Sequence, residues 1–316
     1  MESKITITSA DLGDELKVDI RKGAYNTLYS PLEFQLPFNG EYDELYIPNH
    51  PICQAIGRTL SPAWMTGWHL AHTFARTPFK SFSIRLNSFV VGNDKDYTDS
   101  FVDGFLKCLG IVYTSKHKYD ISIFSNIETS HTIGKTDMKN SPPSHKDWIN
   151  YMRINQHEWF PYVDLVLAIC DPLRVRKDIL LSEMIVLMQS IRKSSQLILR
   201  MPNVRDWTTC EFHILGLALF LFGHVELSVM PAFGGHRELY LICQEKHQGL
   251  PEKMLDMTLD VLGDSYILFS GIKAEKITKL VDTIHKAQSA PGLPVNLWIQ
   301  ENFDYLVAQP HDPESS

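Results

Sequence analysis

The sequence predicts an α/β protein built on a mainly parallel, seven-stranded sheet, with an antiparallel hairpin at one edge and helices on both faces. Three observations carry that prediction. Between Ser81 and Cys243, short runs rich in β-branched and aromatic residues alternate with segments whose apolar residues recur at helical spacing. One run, Tyr162–Cys170, is apolar at almost every position, as a strand buried on both faces of a parallel sheet must be. The last two runs follow each other with no helix between them, which suits a hairpin rather than a crossover.

Taken in order, Ser81–Val91 reads as the first strand. Thr98–Leu109 places Phe101, Val102, Phe105, Leu106 and Leu109 on one helical face, with Gly110 as its stop. Ile111–Thr114 and Tyr119–Ile127 read as the second and third strands. Thr129–Ser144 contains Gly134, Pro142 and Pro143 and reads as a flexible loop. A helix over Trp148–Phe160 leads to the fourth strand, Tyr162–Cys170, and Ile179–Ile191 is again helical. Gln196–Met201 is the fifth strand, and Thr208–Phe222 an apolar helix ended by Gly223. Val225–Met230 and Leu239–Cys243 make the closing pair. Residues 1–80 read as an N-terminal extension and 81–249 as the α/β domain. Residues 250–316 read as a helical C-terminal extension whose polar, proline-containing tail carries too little apolar surface to order itself.

Bulk properties narrow the function. A net charge of −7 excludes a general nucleic-acid-coating protein, which would be basic overall. A local exception is the stretch 171–206, where seven Lys and Arg face four Asp and Glu, an excess that suits RNA phosphates or a solvated helix surface equally. The five cysteines are scattered without a C-x-x-C pair, and His224, His236 and His247 have no ligand spacing, so neither disulfides nor a metal site is expected. Trp148, Trp159 and Trp207 read as core. The N-terminus lacks an apolar signal core, and the longest apolar stretch, Ile214–Phe222, is too short for a bilayer. A cytoplasmic or nuclear location without membrane contact is the expectation.

Three stretches carry a resemblance. Asp164–Asp171 (DLVLAICD) ends an apolar strand on an acid, Leu180–Met201 runs helix, loop and strand to a basic residue, and Phe222–Cys243 closes with a hairpin holding Glu238. In that order and spacing the chain resembles the FtsJ-like family of S-adenosylmethionine-dependent ribose 2′-O-methyltransferases, as a divergent member with a Rossmann-like fold.

The resemblance implies a Lys-Asp-Lys-Glu set that activates a ribose 2′-hydroxyl of RNA. A lysine of lowered pKa helps the hydroxyl lose its proton while charged neighbours align it with the methyl group. Carried over by position, the catalytic candidates are Asp171, Arg200 and Glu238, with Arg200 standing for the second lysine. The first lysine has no clear counterpart; Lys80 and Arg76 lie nearest. Arginine stays protonated in proteins, so Arg200 could orient a group but not take a proton. It equally suits an ion pair with Asp171 or Glu238. The implied S-adenosylmethionine site maps to the turn at Gly92 and Asn93, and to Asn126 or Glu128. Only one glycine stands where the family has several, and the expected second strand ends in Thr114-Ser115-Lys116 without an acid. The site therefore reads as degenerate. Three functions stay open: an RNA 2′-O-methyltransferase, an inactive pseudo-methyltransferase serving as a binding or scaffold module, and a methyltransferase for a small molecule or protein.

Overall fold

The computed structural model describes residues 3–22, 60–76, 85–113, 120–125, 130, 134–135, 164–172, 181, 184–185, 187–188, 191, 195–231, 233, 237–247, 266–290 and 295–307. Its strands are β1 (Ser3–Thr6), β2 (Lys17–Lys22), β3 (Arg85–Val91), β4 (Asp120–Ser125), β5 (Gly134–Lys135), β6 (Leu165–Ala168), β7 (Gln196–Met201), β8 (Phe222–Val229), β9 (Leu239–Lys246) and β10 (Tyr266–Ser270). Its helices are α1 (Pro62–Arg76), α2 (Lys95–Tyr113), α3 (Thr209–Leu221), α4 (Ala274–Ser289), α5 (Val295–Glu301) and α6 (Phe303–Val307).

The main sheet is mixed and has eight strands in the order β1-β8-β9-β7-β6-β3-β4-β5. β5, β4, β3, β6 and β7 are parallel, whereas β9 runs antiparallel between β7 and β8. The chain thus starts in the middle of the parallel set, moves outward through β4 and β5, and returns to β6 on the other side of β3. Where strand order reverses in this way, a crevice opens beyond the carboxyl ends of the strands.

Period-two alternation divides the core between two faces. On β7, Leu197, Leu199 and Met201 join the layer of α3 and α4, whereas Ile198 joins that of α1 and α2. On β9, Leu239, Leu241 and Cys243 face the first layer, and Tyr240 and Ile242 the second. Arg200 and Glu238 share the parity of Ile198 and Tyr240, so the pleat directs them to the face of α1 and α2. The described residues within 181–188 are helical and buried in the first layer, in keeping with their apolar spacing.

Several expectations are corrected. The sheet has eight strands rather than seven, and the β8–β9 pair is not its edge. β1 pairs antiparallel with β8 outside it, through Ser3↔Val229 to Thr6↔Glu226. Ile111–Tyr113 is not a strand, because α2 continues through Gly110 to Tyr113. Extending an existing helix needs no new nucleus, and the small propensity penalties of a glycine and β-branched residues do not stop it. Within the expected loop Thr129–Ser144, Gly134–Lys135 adds a two-residue strand beside β4. Gly223 does not end α3 as a cap. It lies inside β8, which begins directly at Phe222. α3 starts at a reciprocal capping box between Thr208 and Glu211.

The chain ends pack on this core. β2 and β10 make a separate two-stranded ribbon, and Phe269 of β10 packs on Gly216 of α3. Gly271 has φ +89°, and an added Cβ would sit 2.1 Å from the Glu15 carbonyl oxygen, so only glycine fits that junction. Among the described residues no helix is long and apolar enough to cross a membrane. Cys108, Cys170, Cys210 and Cys243 are buried, and the Cys243 thiol is pushed up by burial, which leaves it unreactive.

His213 of α3 is buried, stacks with Phe269 at 6.4 Å, and has its pKa lowered to about 4 by desolvation. The unfolded chain therefore binds a proton at higher pH than the folded one. Stability from this site is whole above pH about 6.5 and declines as pH falls toward 4, by roughly 3 kcal/mol in all. Urea midpoints measured across that range are expected to fall more steeply for the parent than for His213→Leu. Parallel curves would remove His213 as the cause.

Candidate functional site

The carboxyl edge of the parallel strands gathers the expected residues. β3 ends at Val91 and turns through Gly92, Asn93 and Asp94 into α2, while β6 leads through Ile169 and Cys170 to Asp171. Arg200 is the penultimate residue of β7, and Glu238 immediately precedes β9, whose antiparallel course returns it to the same edge. Arg200 pairs across the ladder with Tyr240.

Arg200 Nη2 donates to Glu238 Oε1 at 2.7 Å, and each side chain is 18% exposed. The ion pair foreseen for Arg200 with either Asp171 or Glu238 is therefore made with Glu238. Two tyrosines that the sequence reading missed complete the cluster. The Tyr240 hydroxyl donates to Glu238 Oε2 at 2.7 Å, and that of Tyr97, from the first turn of α2, reaches the same oxygen at 2.8 Å. The two hydroxyls are 3.1 Å apart, and the Arg200 guanidinium stacks 4.3 Å from the Tyr97 ring centroid. Tyr240 could have been found from the period-two rule once Glu238 was placed on its strand. Tyr97 carries no such signal, because it is 141 positions from Glu238.

The electrostatics favour a closed arrangement. Burial alone would lower the Arg200 pKa, but Glu238, Tyr240, Tyr97 and Asp171 together raise it, so the guanidinium stays charged. Burial and the Glu238 charge push both tyrosines well above the ordinary phenol value, which keeps them as neutral donors. Arg200, Tyr97 and Tyr240 thus all direct donors at one carboxylate. The cluster can orient a group, but it contains no neutral amine to receive a proton.

The turn after β3 is committed elsewhere. Gly92 is buried, and an added Cβ would lie 2.2 Å from Thr98 Oγ1, so its bareness admits the first turn of α2. Asn93 braces the loop after β6: its Oδ1 accepts from the Asp171 N–H at 2.8 Å, and its Nδ2 donates to the Asp171 carbonyl at 3.3 Å. Asp94 caps α2 by accepting from the Tyr97 N–H at 3.0 Å. A methyl donor needs a glycine turn open to its backbone, and these residues do not fit one. Asn126, Glu128 and Lys80 lie outside the described residues, and Arg76 closes α1. β4, expected as the third strand, lies directly beside β3, because the expected second strand at Ile111–Tyr113 is part of α2.

Thr98 Oγ1 is buried without a hydrogen-bond partner among the described residues. Thr98→Val removes that polar atom at nearly constant shape and is expected to stabilise the fold by about 1 kcal/mol. Thermal unfolding checks this, and a clear drop in midpoint would mean that the hydroxyl is satisfied in solution.

Of the basic excess at 171–206, Arg200 faces Glu238, and Arg205 lies 3.7 Å from Asp206. Trp207 is core, donating from Nε1 to the Pro202 carbonyl at 3.0 Å, while Trp148 and Trp159 lie outside the described residues. Among the described residues no group of three His, Cys, Asp or Glu side chains is placed to hold a metal ion. Neither the known protein-family models nor the curated proteins include a match to this chain.

Proposed function

We propose that this chain is a divergent Rossmann-like protein of the FtsJ methyltransferase type in which methyl transfer has given way to binding. Its carboxyl edge then serves as a pseudo-methyltransferase module, with RNA as the first partner to test. The observation that carries this reading is the saturation of Glu238. The carboxylate that should help activate a hydroxyl is held by Arg200, Tyr97 and Tyr240. Burial of Gly92 against Thr98 and the Asn93–Asp171 brace add to it from the cofactor side. The fold assignment is supported by the reversal of strand order at β3 and by the antiparallel β9 between β7 and β8.

A second reading is favoured by a different observation: Asp171, Arg200 and Glu238 share one edge, and both acids add to the electrostatic stabilisation of Arg200. On that reading the chain is an S-adenosylmethionine-dependent RNA ribose 2′-O-methyltransferase. A small molecule or protein is the remaining acceptor class. Calorimetry with S-adenosylmethionine and with its demethylated product separates the readings. Absence of binding heat at millimolar ligand is the expected result. Saturable binding together with methyl incorporation into RNA would overturn the pseudoenzyme reading and establish the second.

A further inference from the structure

We infer that Gln288 and Trp298, in the C-terminal segment, position the Arg200–Glu238 cluster by gripping the chain between β8 and β9 at two points. This holds whether the cluster transfers a methyl group or only binds.

The first grip is at a fork. β7 and β9 are paired as far as Met201↔Leu239, beyond which β7 leads into Pro202–Val204 and β9 is preceded by Arg237 and Glu238. The end of α4 enters that fork. One side-chain amide bridges both branches: Gln288 Oε1 accepts from the Val204 N–H at 3.1 Å, and its Nε2 donates to the Arg237 carbonyl at 3.0 Å. Arg237 is buried and donates in return to the Ala287 carbonyl in the last turn of α4. Because Glu238 directly follows Arg237, its approach to Arg200 is tied to the seat of α4.

The second grip lies toward β8. Phe233 packs edge-on against Trp298 of α5, with centroids 4.8 Å apart. Trp298 is itself anchored to α1, donating from Nε1 to His69 Nδ1 at 3.0 Å and meeting Trp68 edge-on at 5.4 Å. The backbone closes between the grips, where the Met230 N–H donates to the Glu238 carbonyl at 2.9 Å. The ladder alone would align Arg200 with Tyr240. That ladder ends at Leu239, and Arg237, two residues earlier, is bonded to Gln288 and Ala287 of the C-terminal segment.

Gln288→Met keeps the side-chain length and removes both amide bonds. Hydrogen exchange read by mass spectrometry, with ultraviolet titration of the phenols, tests the inference on the full chain. Tyr97→Phe and Tyr240→Phe assign the two titrations. The expected result is exchange roughly tenfold faster at residues 203–206 and 237–240, the loss of about one net hydrogen bond. Both phenols should also titrate at lower pH than in the parent, while α2 and β6 exchange as before. Trp298→Phe, which keeps an aromatic ring but lacks the donor, should move the phenols in the same direction. Should Gln288→Met fail to fold, Gln288→Glu keeps the acceptor for Val204 and loses the donor to Arg237, so only 237–240 should exchange faster. Acceleration confined to α4, a uniform change across the chain, or phenols that do not move in the folded variants would overturn the inference.

Discussion

Gly104→Ala is expected to destabilise the protein by about 3 kcal/mol, although the same exchange on an exposed helix would stabilise it by about 1 kcal/mol. The sign reverses because α1 and α2 touch backbone to backbone. A Cβ on Gly104 would sit 2.1 Å from the Trp64 carbonyl oxygen, and one on Gly67 would sit 2.1 Å from that of Phe101. The seam is reciprocal, and neither obstacle is a side chain that could swing aside. It is fastened by the Trp64 indole, which donates to Asp103 at 2.7 Å, and by a hydrogen bond between Ser61 and Ser100. Admitting one methyl group forces the helices apart and opens gaps around Trp68, Phe101 and Phe105, all fully buried. Gly67→Ala should cost a similar amount, and the double variant less than the sum, since one separation relieves both clashes. Urea unfolding measures all three. A Gly104→Ala protein as stable as the parent would mean that the helices are not in contact there.

Glu238→Ala should cost a comparable amount, about 3 kcal/mol, for an electrostatic reason. It strands the Arg200 guanidinium in a mostly buried site and deprives the Tyr97 and Tyr240 hydroxyls of their acceptor. Removing both charges should be far milder than removing one, so Arg200→Met combined with Glu238→Leu is expected to recover most of the loss. The double-mutant cycle read from denaturant midpoints should give a coupling of about 2 kcal/mol. A coupling near zero would show that water, rather than Glu238, satisfies Arg200. The edge would then be open to a ligand, and the methyltransferase reading would regain ground over the pseudoenzyme.

The two predictions meet on α2, one at its middle and the other at its first turn. Its Gly104 secures the helix against α1, and its first turn supplies Tyr97 to the Glu238 carboxylate and Thr98 to the space beside Gly92. The residues that seat this helix on the sheet are therefore also those that fill the edge where a ligand would enter. A variant that loosens the α1–α2 seam without unfolding the chain should also weaken the Tyr97 contact, so the two effects are linked through one rigid element.

The amino-acid sequence by itself determined the elements whose pattern is local. The apolar runs at Leu165–Ala168 and within Gln196–Met201, and the apolar helix over Thr209–Leu221, each encode their structure within a few residues. Arg200 and Glu238 were matched to one edge only through the family resemblance, and the antiparallel course of β9 beside β7 is what brings their side chains together. Tertiary structure alone decided the rest. Ile111–Tyr113 became helix because lengthening α2 outweighed a weak strand preference, and Ser3–Thr6 became the outermost strand because β8 offered it unpaired backbone groups. Whether Gly92 faced a ligand or Thr98, and whether Glu238 was free or held by two tyrosines, depended on how α2 seats against the sheet. That seating is a balance of contacts between residues far apart in the chain, and no local pattern records it.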